Sequence, residues 1–413
     1  MERLFPRFMW AIWALAFIAC VLIDFGYFPN APVFPDEHRF LASANHLVAN
    51  GAFASAGGRA WEMPGTALFF APFVLLFGHE PVRAVRLMQA ILLLGQSALL
   101  GWIAWRLFAN RWTAVLAATM AAFYPFFLFY PGLLLSEPLF DFLLVASMAS
   151  LYWWQSRGCR VDRAFVVTCV LFAATTYVKA TLLFLPPLLM AAAVLASHHG
   201  MRRAIGILLA STLLFSICLT PWWVRNQLVL GHFVAFTTGS AQNLYLGNNP
   251  HNVTGGISWG KDVDPAVVAR IRAITDEVDQ QKAFMAEAVR YIIAHPGNFV
   301  RMMGVKFLRF WNIVPNADTY QGLAFKLISA LTFGPVLLLA IACAVGRCAP
   351  FGRLSPIYLL IAFFTLVYTV TIASLRYRLP LEPFLIVLAA EPLRRVFAFL
   401  VARISRAPGE QTS

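Results

Sequence analysis

Charge is what this chain has least of. Only 12% of its 413 residues are Asp, Glu, Lys or Arg, against roughly a quarter in a soluble globular domain. Mean hydropathy is +0.71, which excludes a water-soluble fold and calls for a bilayer as solvent. Acids are scarcer than bases, 19 against 32, for a net charge of +13. That excess does not point to nucleic acid. The arginines sit in short loops between apolar runs, as in chains oriented with Lys and Arg on the cytoplasmic side. Cysteine is also sparse. Cys20, Cys159, Cys169, Cys218, Cys343 and Cys348 lie in or beside apolar segments with no metal-ligand spacing, so neither a disulfide framework nor a structural zinc is expected. No internal repeat is present.

What is there is a series of long apolar runs. A spanning helix needs about 20 largely apolar residues. Segments 8–28, 87–107, 112–130, 138–156, 163–180, 182–197, 203–223, 324–346, 355–373 and 379–399 meet that need. The first lacks a small-residue cleavage site and reads as a retained helix, with Arg3 and Arg7 inside. The run 64–78 is short and interrupted by Pro72. If it crossed, the clusters Arg106/Arg111, Arg157/Arg160/Arg163, Arg202/Arg203 and Arg347/Arg353 would all face outward. If it lies at the interface, they fall inside with both termini and the tail arginines Arg394, Arg395, Arg403 and Arg406. Ten spans are therefore expected, eleven if 64–78 crosses, with both termini cytoplasmic.

The expected fold class is an all-α polytopic bundle with interfacial helices and a small extracytoplasmic region. Its parts are an N-terminal transmembrane module (1–223, with a first external loop over 29–86), a loop region (224–322) and C-terminal helices (323–413). Within the loop region, 265–296 has helical periodicity stopped at His295-Pro296-Gly297. The stretch 300–311 reads as a basic, aromatic interfacial helix.

Acids are scarce in the membrane half, so their positions there carry information. Asp36 and Glu37 follow Pro35 and open a helix-patterned segment ending at Gly51. The plainer reading is that Asp36 caps that helix; the sharper one is chemistry. Glu137, between Ser136 and Pro138, opens another helix, with Asp141 a turn later, and Glu62 begins the short interfacial run. Three acids on one face, each at a helix start, exceed what capping requires. Among the bases on this side are Lys179, Arg225, Arg376 and Arg378. Interfacial anchoring would explain the last two, but the charge bias runs against Arg on this side. A cationic pocket beside carboxylates at headgroup depth suits a lipid phosphate and a proton acceptor. In "NLYLGNNP", Tyr245 offers a ring for stacking on a sugar and Asn248 a polar contact; the plainer reading is a loop. "NVT" at 252–254 matches a three-residue glycan-acceptor sequon. His38 and His46 lie eight apart, not one turn, so no metal site is read there.

In order along the chain, "PDEHRFLASANHLVANG", "WEMPGTALFFAPFVLLFG", "LLSEPLFDFLLV", "PWWVRNQLVLGHFVAFTTGSAQNLYLGNNP" and "LRYRLPLEPFLIVLAA" resemble a bacterial membrane glycosyltransferase of the GT-C superfamily. The resemblance is to the group of protein O-mannosyltransferases and lipid A aminoarabinose transferases. It implies a GT-C bundle in the bacterial inner membrane, with its active site facing outward. The implied reaction is inverting transfer of a sugar from a polyprenyl-phosphate donor to a lipid, polysaccharide or protein acceptor. Asp36 maps to the base, with Glu37 supporting it or positioning the acceptor. Glu137 maps to an acid that binds the acceptor or orients the first loop. Glu62 matches an acid before a proline, but Met63 stands where relatives can carry a base. Lys179, Arg225, Arg376 and Arg378 are the candidate phosphate ligands. No cofactor is called for; a divalent metal is possible but not expected. The rival functions are a transporter or flippase of lipid-linked sugars, which would place charges mid-span, and a polymerase or ligase using similar donors.

Overall fold

The computed structural model describes residues 5–55, 57–78, 80–256, 262–315 and 322–404. Among them there is no β-strand, only an isolated bridge between Ser55 and Gly58. The helices in chain order are α1 (Phe8–Tyr27), α2 (Pro35–Asn50), α3 (Gly65–Phe77), α4 (Val82–Phe108), α5 (Arg111–Ala122), α6 (Pro125–Phe129), α7 (Glu137–Ser156), α8 (Arg163–Val178) and α9 (Leu185–Ala196). They continue as α10 (Met201–Leu230), α11 (Ser240–Gly247), α12 (Pro265–Arg272), α13 (Glu277–Ala294), α14 (Pro296–Phe310), α15 (Leu323–Val345), α16 (Phe351–Val370), α17 (Leu375–Arg378) and α18 (Glu382–Ile404). The chain is all-α.

Every expected span coincides with a helix, but not every one reaches a bilayer's thickness alone. Among the described residues α1, α4, α10, α15 and α16 are long and apolar enough to cross. A sixth candidate is α5 taken with residues 125–132, bent by 48°. The run 112–130 was expected to be one straight span. Pro125 opens the second piece, and a proline cannot continue the hydrogen-bond ladder of the first. At 1.5 Å per residue, α8 and α9 measure about 24 and 18 Å, short of the ~30 Å hydrocarbon core. Helices α7 and α18 carry acids or arginines along their length. Helix α3 has 13 residues, about 20 Å, and packs on α2 and α8.

One apolar core runs from Leu93 and Leu100 of α4 through Phe140 and Met148 of α7 and Phe172 of α8. It continues through Phe215 of α10, Phe333 of α15, Phe364 of α16 and Phe384 of α18. The C-terminal helices therefore pack into the same bundle as the N-terminal ones. The arginine-bearing loops gather at one end of it. Thr113 donates to Glu391 at 2.6 Å, Arg203 donates to the Cys159 carbonyl at 3.0 Å, and Tyr152 donates to the Arg353 carbonyl at 3.1 Å. Arg3 and Arg406, also expected on that side, lie outside the described residues.

At the other end, α11 to α14 form a small layer with its own core around Tyr245, Val268, Ile271 and Phe284. The helix expected over 265–296 is two helices, α12 and α13. Asp276 breaks the run by capping α13, accepting from the Val278 and Asp279 amides at 2.9 Å. The stop at His295-Pro296 holds, and α14 follows. It buries Met302, Lys306 and Phe310 and exposes Phe307 and Leu308.

Candidate functional site

Loop one reaches the bundle through a set of polar anchors. Buried Arg86 of α4 donates to Asp24 at 2.9 Å and to the Pro29 and Ala31 carbonyls at 2.8 and 3.2 Å, fixing the exit from α1. Glu277, at the start of α13, accepts from the Arg59 and Ala60 amides at 2.6 and 2.9 Å and from the Thr238 hydroxyl. A methyl group added at Gly65 would sit 2.5 Å from the Tyr177 carbonyl. Glycine there lets the head of α3 touch the end of α8, two residues before Lys179.

The acidic pair then divides its work. Glu37 is wholly buried; one oxygen accepts from the Val33 and Phe34 amides at 3.2 and 3.0 Å, the other from Leu134 at 2.9 Å. Helix capping was the plainer reading of Asp36. The residue that reaches back to cap α2 is Glu37, which also pins the helix to the turn before α7. Asp36 points away, toward Arg376 at 2.5 Å and Arg39 at 3.0 Å. Successive helical residues lie about 100° apart, which is enough to send one inward and one outward.

Asp36 belongs to a chain of alternating charges drawn from five segments. Lys179 donates to Glu137 at 2.8 Å. Arg376 grips both oxygens of Glu137, with one contact at 3.1 Å, and reaches Asp36 with its remaining nitrogen. Arg39 pairs with Asp36 and, at 2.8 Å, with Glu62, which also accepts from Ser43 at 3.2 Å. Three acids thus alternate with three cations. Side-chain exposure falls from about a third at Asp36 (32%), Arg39 and Arg376 (28% each) to nothing at Glu137. The chain is most open at Asp36, between its two arginines, and closed at Glu137, between Arg376 and Lys179. Ser136 is the residue before α7 as expected, but its side chain makes no capping bond.

The electrostatics follow the geometry. Burial would raise the Asp36 carboxyl, but Arg376 and Arg39 outweigh it and hold the group below its ordinary value. Glu62 goes the other way: burial raises it, only partly offset by Arg39 and Ser43. Arg376 is fixed from behind as well. The ring of Tyr377 stacks on Tyr368 at 4.7 Å, and the Tyr368 hydroxyl bonds Thr181, two residues past Lys179, at 3.1 Å.

Four expected site residues are elsewhere. Arg378 is wholly buried, donating to Glu382 at 2.8 Å and to the Phe310 and Asn312 carbonyls at 3.3 and 2.5 Å, over the Phe333 ring. Residues two apart on a helical turn face opposite ways, so Arg376 and Arg378 cannot share one pocket. Arg225 donates to the Phe53 carbonyl at 2.5 Å and lies against the Phe53 and Trp222 rings. Tyr245 is buried against Phe284, and Asn248 is buried among backbone carbonyls and Lys306. Neither side chain is open for a sugar. Asn252 of the sequon is likewise buried, its amide donating to the Leu246 and Gly256 carbonyls. Sequence reasoning passed over Arg39 as a site residue. Its signal was the i,i+3 spacing from Asp36, which puts both on one helix face.

The single-residue role of Arg378 is testable. Arg378→Met alone leaves Glu382 charged and unpaired in the core and is expected to cost about 3–5 kcal/mol. The double variant R378M/E382M is expected to recover most of that in thermal unfolding. A phosphate ligand would instead show a donor-binding defect in a stable protein.

Residues 42–237 match the family described as dolichyl-phosphate-mannose-protein mannosyltransferase. The archaeal oligosaccharyltransferase AglB from Archaeoglobus fulgidus, solved with an inhibitory peptide and a dolichol-phosphate, superposes on 99% of this chain with a TM-score of 0.60 at 11% identity. The chain has the GT-C glycosyltransferase fold. The apo form of the Archaeoglobus fulgidus oligosaccharyltransferase matches 100% of the chain with a TM-score of 0.57 at 13% identity. This chain covers 53% of each of these longer proteins, about half their length. ArnT from Cupriavidus metallidurans, bound to undecaprenyl phosphate, matches 98% of the chain and 82% of its own length, at 14% identity and a TM-score of 0.47. No curated protein sequence matches. Among the described residues no three His, Cys, Asp or Glu side chains form a group able to hold a metal ion.

Proposed function

We propose that the protein transfers a sugar from a polyprenyl-phosphate donor to an envelope acceptor, with inversion, at the outward face of the membrane. The observation that carries this is the Asp36–Arg376–Glu137 chain, open at Asp36 and closed at Glu137. The dolichol-phosphate and peptide bound by AglB support a lipid-phosphate donor and a separate acceptor. The arginine loops at the opposite end of the bundle favour an outward-facing cluster by the positive-inside bias.

In this reading the acceptor hydroxyl oxygen attacks the anomeric carbon, and the bond from that carbon to the phosphate oxygen breaks. Polyprenyl monophosphate leaves with the bonding electrons. Asp36 takes the hydroxyl proton. Arg376 and Arg39 stabilise the departing phosphate, and Lys179 assists from the closed end. Glu137 holds Arg376 and Lys179 in place, Glu62 holds Arg39, and Glu37 fixes the helix that presents Asp36. Arg39 takes over the ligand role first read at Arg378.

The same two arginines hold the base down and wait for the phosphate. A donor phosphate drawing on their N–H groups loosens their grip on Asp36 and makes that carboxylate more basic. The sign is testable. With donor absent the Asp36 carboxyl titrates below its ordinary value; with donor bound it rises. The acid limb of kcat, which reports the bound complex, is therefore expected at higher pH than the acid limb of kcat/KM. Coincident limbs would remove the partner exchange. The function itself is tested by supplying a labelled polyprenyl-phosphate sugar to the purified protein in liposomes and following label onto the acceptor.

A further inference from the structure

The motif "NLYLGNNP" and the buried Lys306 lie outside the charge chain, yet both converge on the backbone that leads into Arg376. Helix α16 ends at Val370, where the last carbonyls of a helix have no partner within it. The Val370 carbonyl accepts from Asn248 Nδ2 at 2.9 Å and from Lys306 Nζ at 3.2 Å. Lys306 Nζ also donates to Asn248 Oδ1 at 3.0 Å, closing a three-membered ring of bonds. An ammonium group also suits a helix C-terminus, where the macrodipole is negative.

The contact continues along the chain. A methyl group at Gly247 would lie 1.7 Å from the Thr371 carbonyl, so the loop touches α16's end as only glycine allows. The Ala373 amide donates to the Gly255 carbonyl at 3.0 Å, and Arg309 donates to the Ala373 carbonyl at 3.1 Å. Val370 and Ala373 are thereby bonded from the outer layer, Thr371 is packed against Gly247, and Ile372 is buried in that layer's core. The chain then turns through Ser374 into the single turn that carries Arg376.

The loop itself is braced for this. Asn249 donates to the Tyr245, Leu246 and Asp262 carbonyls, and Asn252 to Leu246 and Gly256. Tyr245 anchors its helix on Phe284. The polar residues of the motif are consumed by backbone carbonyls, which is what a rigid clamp requires and what a sugar-binding loop would avoid.

We infer that residues 246–256, keyed by Asn248 and Lys306, form a clamp that sets the position of Arg376. Asn248 and Lys306 are then positioning residues for the phosphate site. Burial pushes the Lys306 ammonium down to about 8, and among the described residues the side chain bonds no carboxylate, only the amide oxygen and the carbonyl. Replacing it by a neutral side chain therefore strands no counter-ion.

This inference rests on the phosphate role proposed for Arg376, so its test has two readouts. The first is hydrogen exchange of the backbone over 371–378 in Lys306→Met and Asn248→Asp, each in the full-length protein in detergent micelles. Asn248→Asp keeps an acceptor for Lys306 and removes the donations to Val370 and Leu244, so it serves if Lys306→Met fails to fold. Faster exchange in this segment, with α7 and α18 as in wild type, is expected; wild-type exchange over 371–378 overturns the clamp. The second is affinity for undecaprenyl phosphate as the probe, expected to fall about 10-fold in both variants and in Arg376→Ala. If Arg376→Ala binds as wild type, the phosphate role falls while exchange still decides the clamp. If Arg376→Ala binds weakly and both clamp variants bind as wild type, the positioning role is wrong.

Discussion

Asp36→Asn is expected to lower transfer by ~10²–10⁴-fold, the range of a lost general base. It should do so with little change in stability. The Asp36 side chain is about a third exposed, and solvent-screened ion pairs of this kind contribute on the order of 1 kcal/mol or less. Asn keeps an oxygen for one arginine and nearly the same shape. What it loses is the capacity to take a proton. Asp36→Glu keeps that capacity but moves the carboxylate outward by one methylene, and partial activity is expected. The measurement is initial rate at saturating donor, normalised to folded protein by size-exclusion profile and thermal unfolding. Activity of the Asn variant within a few fold of wild type would take Asp36 out of the mechanism and leave it as a tether for Arg376.

Glu137→Gln should fail differently. Glu137 is fully buried and is the shared counter-ion of Lys179 and Arg376. Removing its charge leaves two cations facing each other around a neutral amide, one of whose ends is a donor. Breaking a buried pair in this way costs about 3–5 kcal/mol. The expected result is a clear loss in thermal unfolding, together with a raised KM for the lipid donor because Arg376 is no longer held. A joint change, Glu137→Gln with Lys179→Met, should recover part of the stability but not the KM. If Glu137→Gln unfolds like wild type, the closed end of the charge chain is not the anchor described here.

How much of this was legible in the sequence differs residue by residue. The gathering of Asp36, Glu62, Glu137, Lys179 and Arg376 followed from simple placement. Each stands at or near a helix end on the same side of a bundle whose helices are readable from apolar runs alone. Which way a side chain points was not readable from placement. Asp36 and Glu37 look equivalent as neighbours, yet Glu37 turns inward and spends both oxygens on backbone amides. Arg376 and Arg378 look like a pair, yet two residues on a helical turn face opposite ways, and Arg378 goes to Glu382. The motif around Asn248 read as a polar, open loop because Asn and Gly are turn formers. The structure spends that polarity internally, capping stray carbonyls. Lys306 is the clearest miss. The basic character of α14 suggested headgroup contact, and nothing local to the sequence reveals that its one lysine faces the end of α16.

The helix count shows the same limit in another form. Hydropathy finds apolar stretches but not their continuity. Pro125 bends one expected span, and α8 and α9 are shorter than their apolar runs because the turn through 179–184 takes residues from both. That turn carries Lys179. The shortening is therefore what brings a cation to the depth of Glu137 rather than a defect in the bundle.

The most direct test follows the carrier lipid rather than the sugar. Purified protein in liposomes is given a polyprenyl-monophosphate sugar labelled in both parts, together with a cell-envelope extract as acceptor, and the lipids are resolved by mass spectrometry. Transfer at the Asp36 site predicts free polyprenyl monophosphate, formed one for one with sugar found on the acceptor, and neither product with Asp36→Asn. Intact sugar-lipid recovered from the opposite leaflet, with no free polyprenyl monophosphate, would contradict it and make the protein a carrier of lipid-linked sugars.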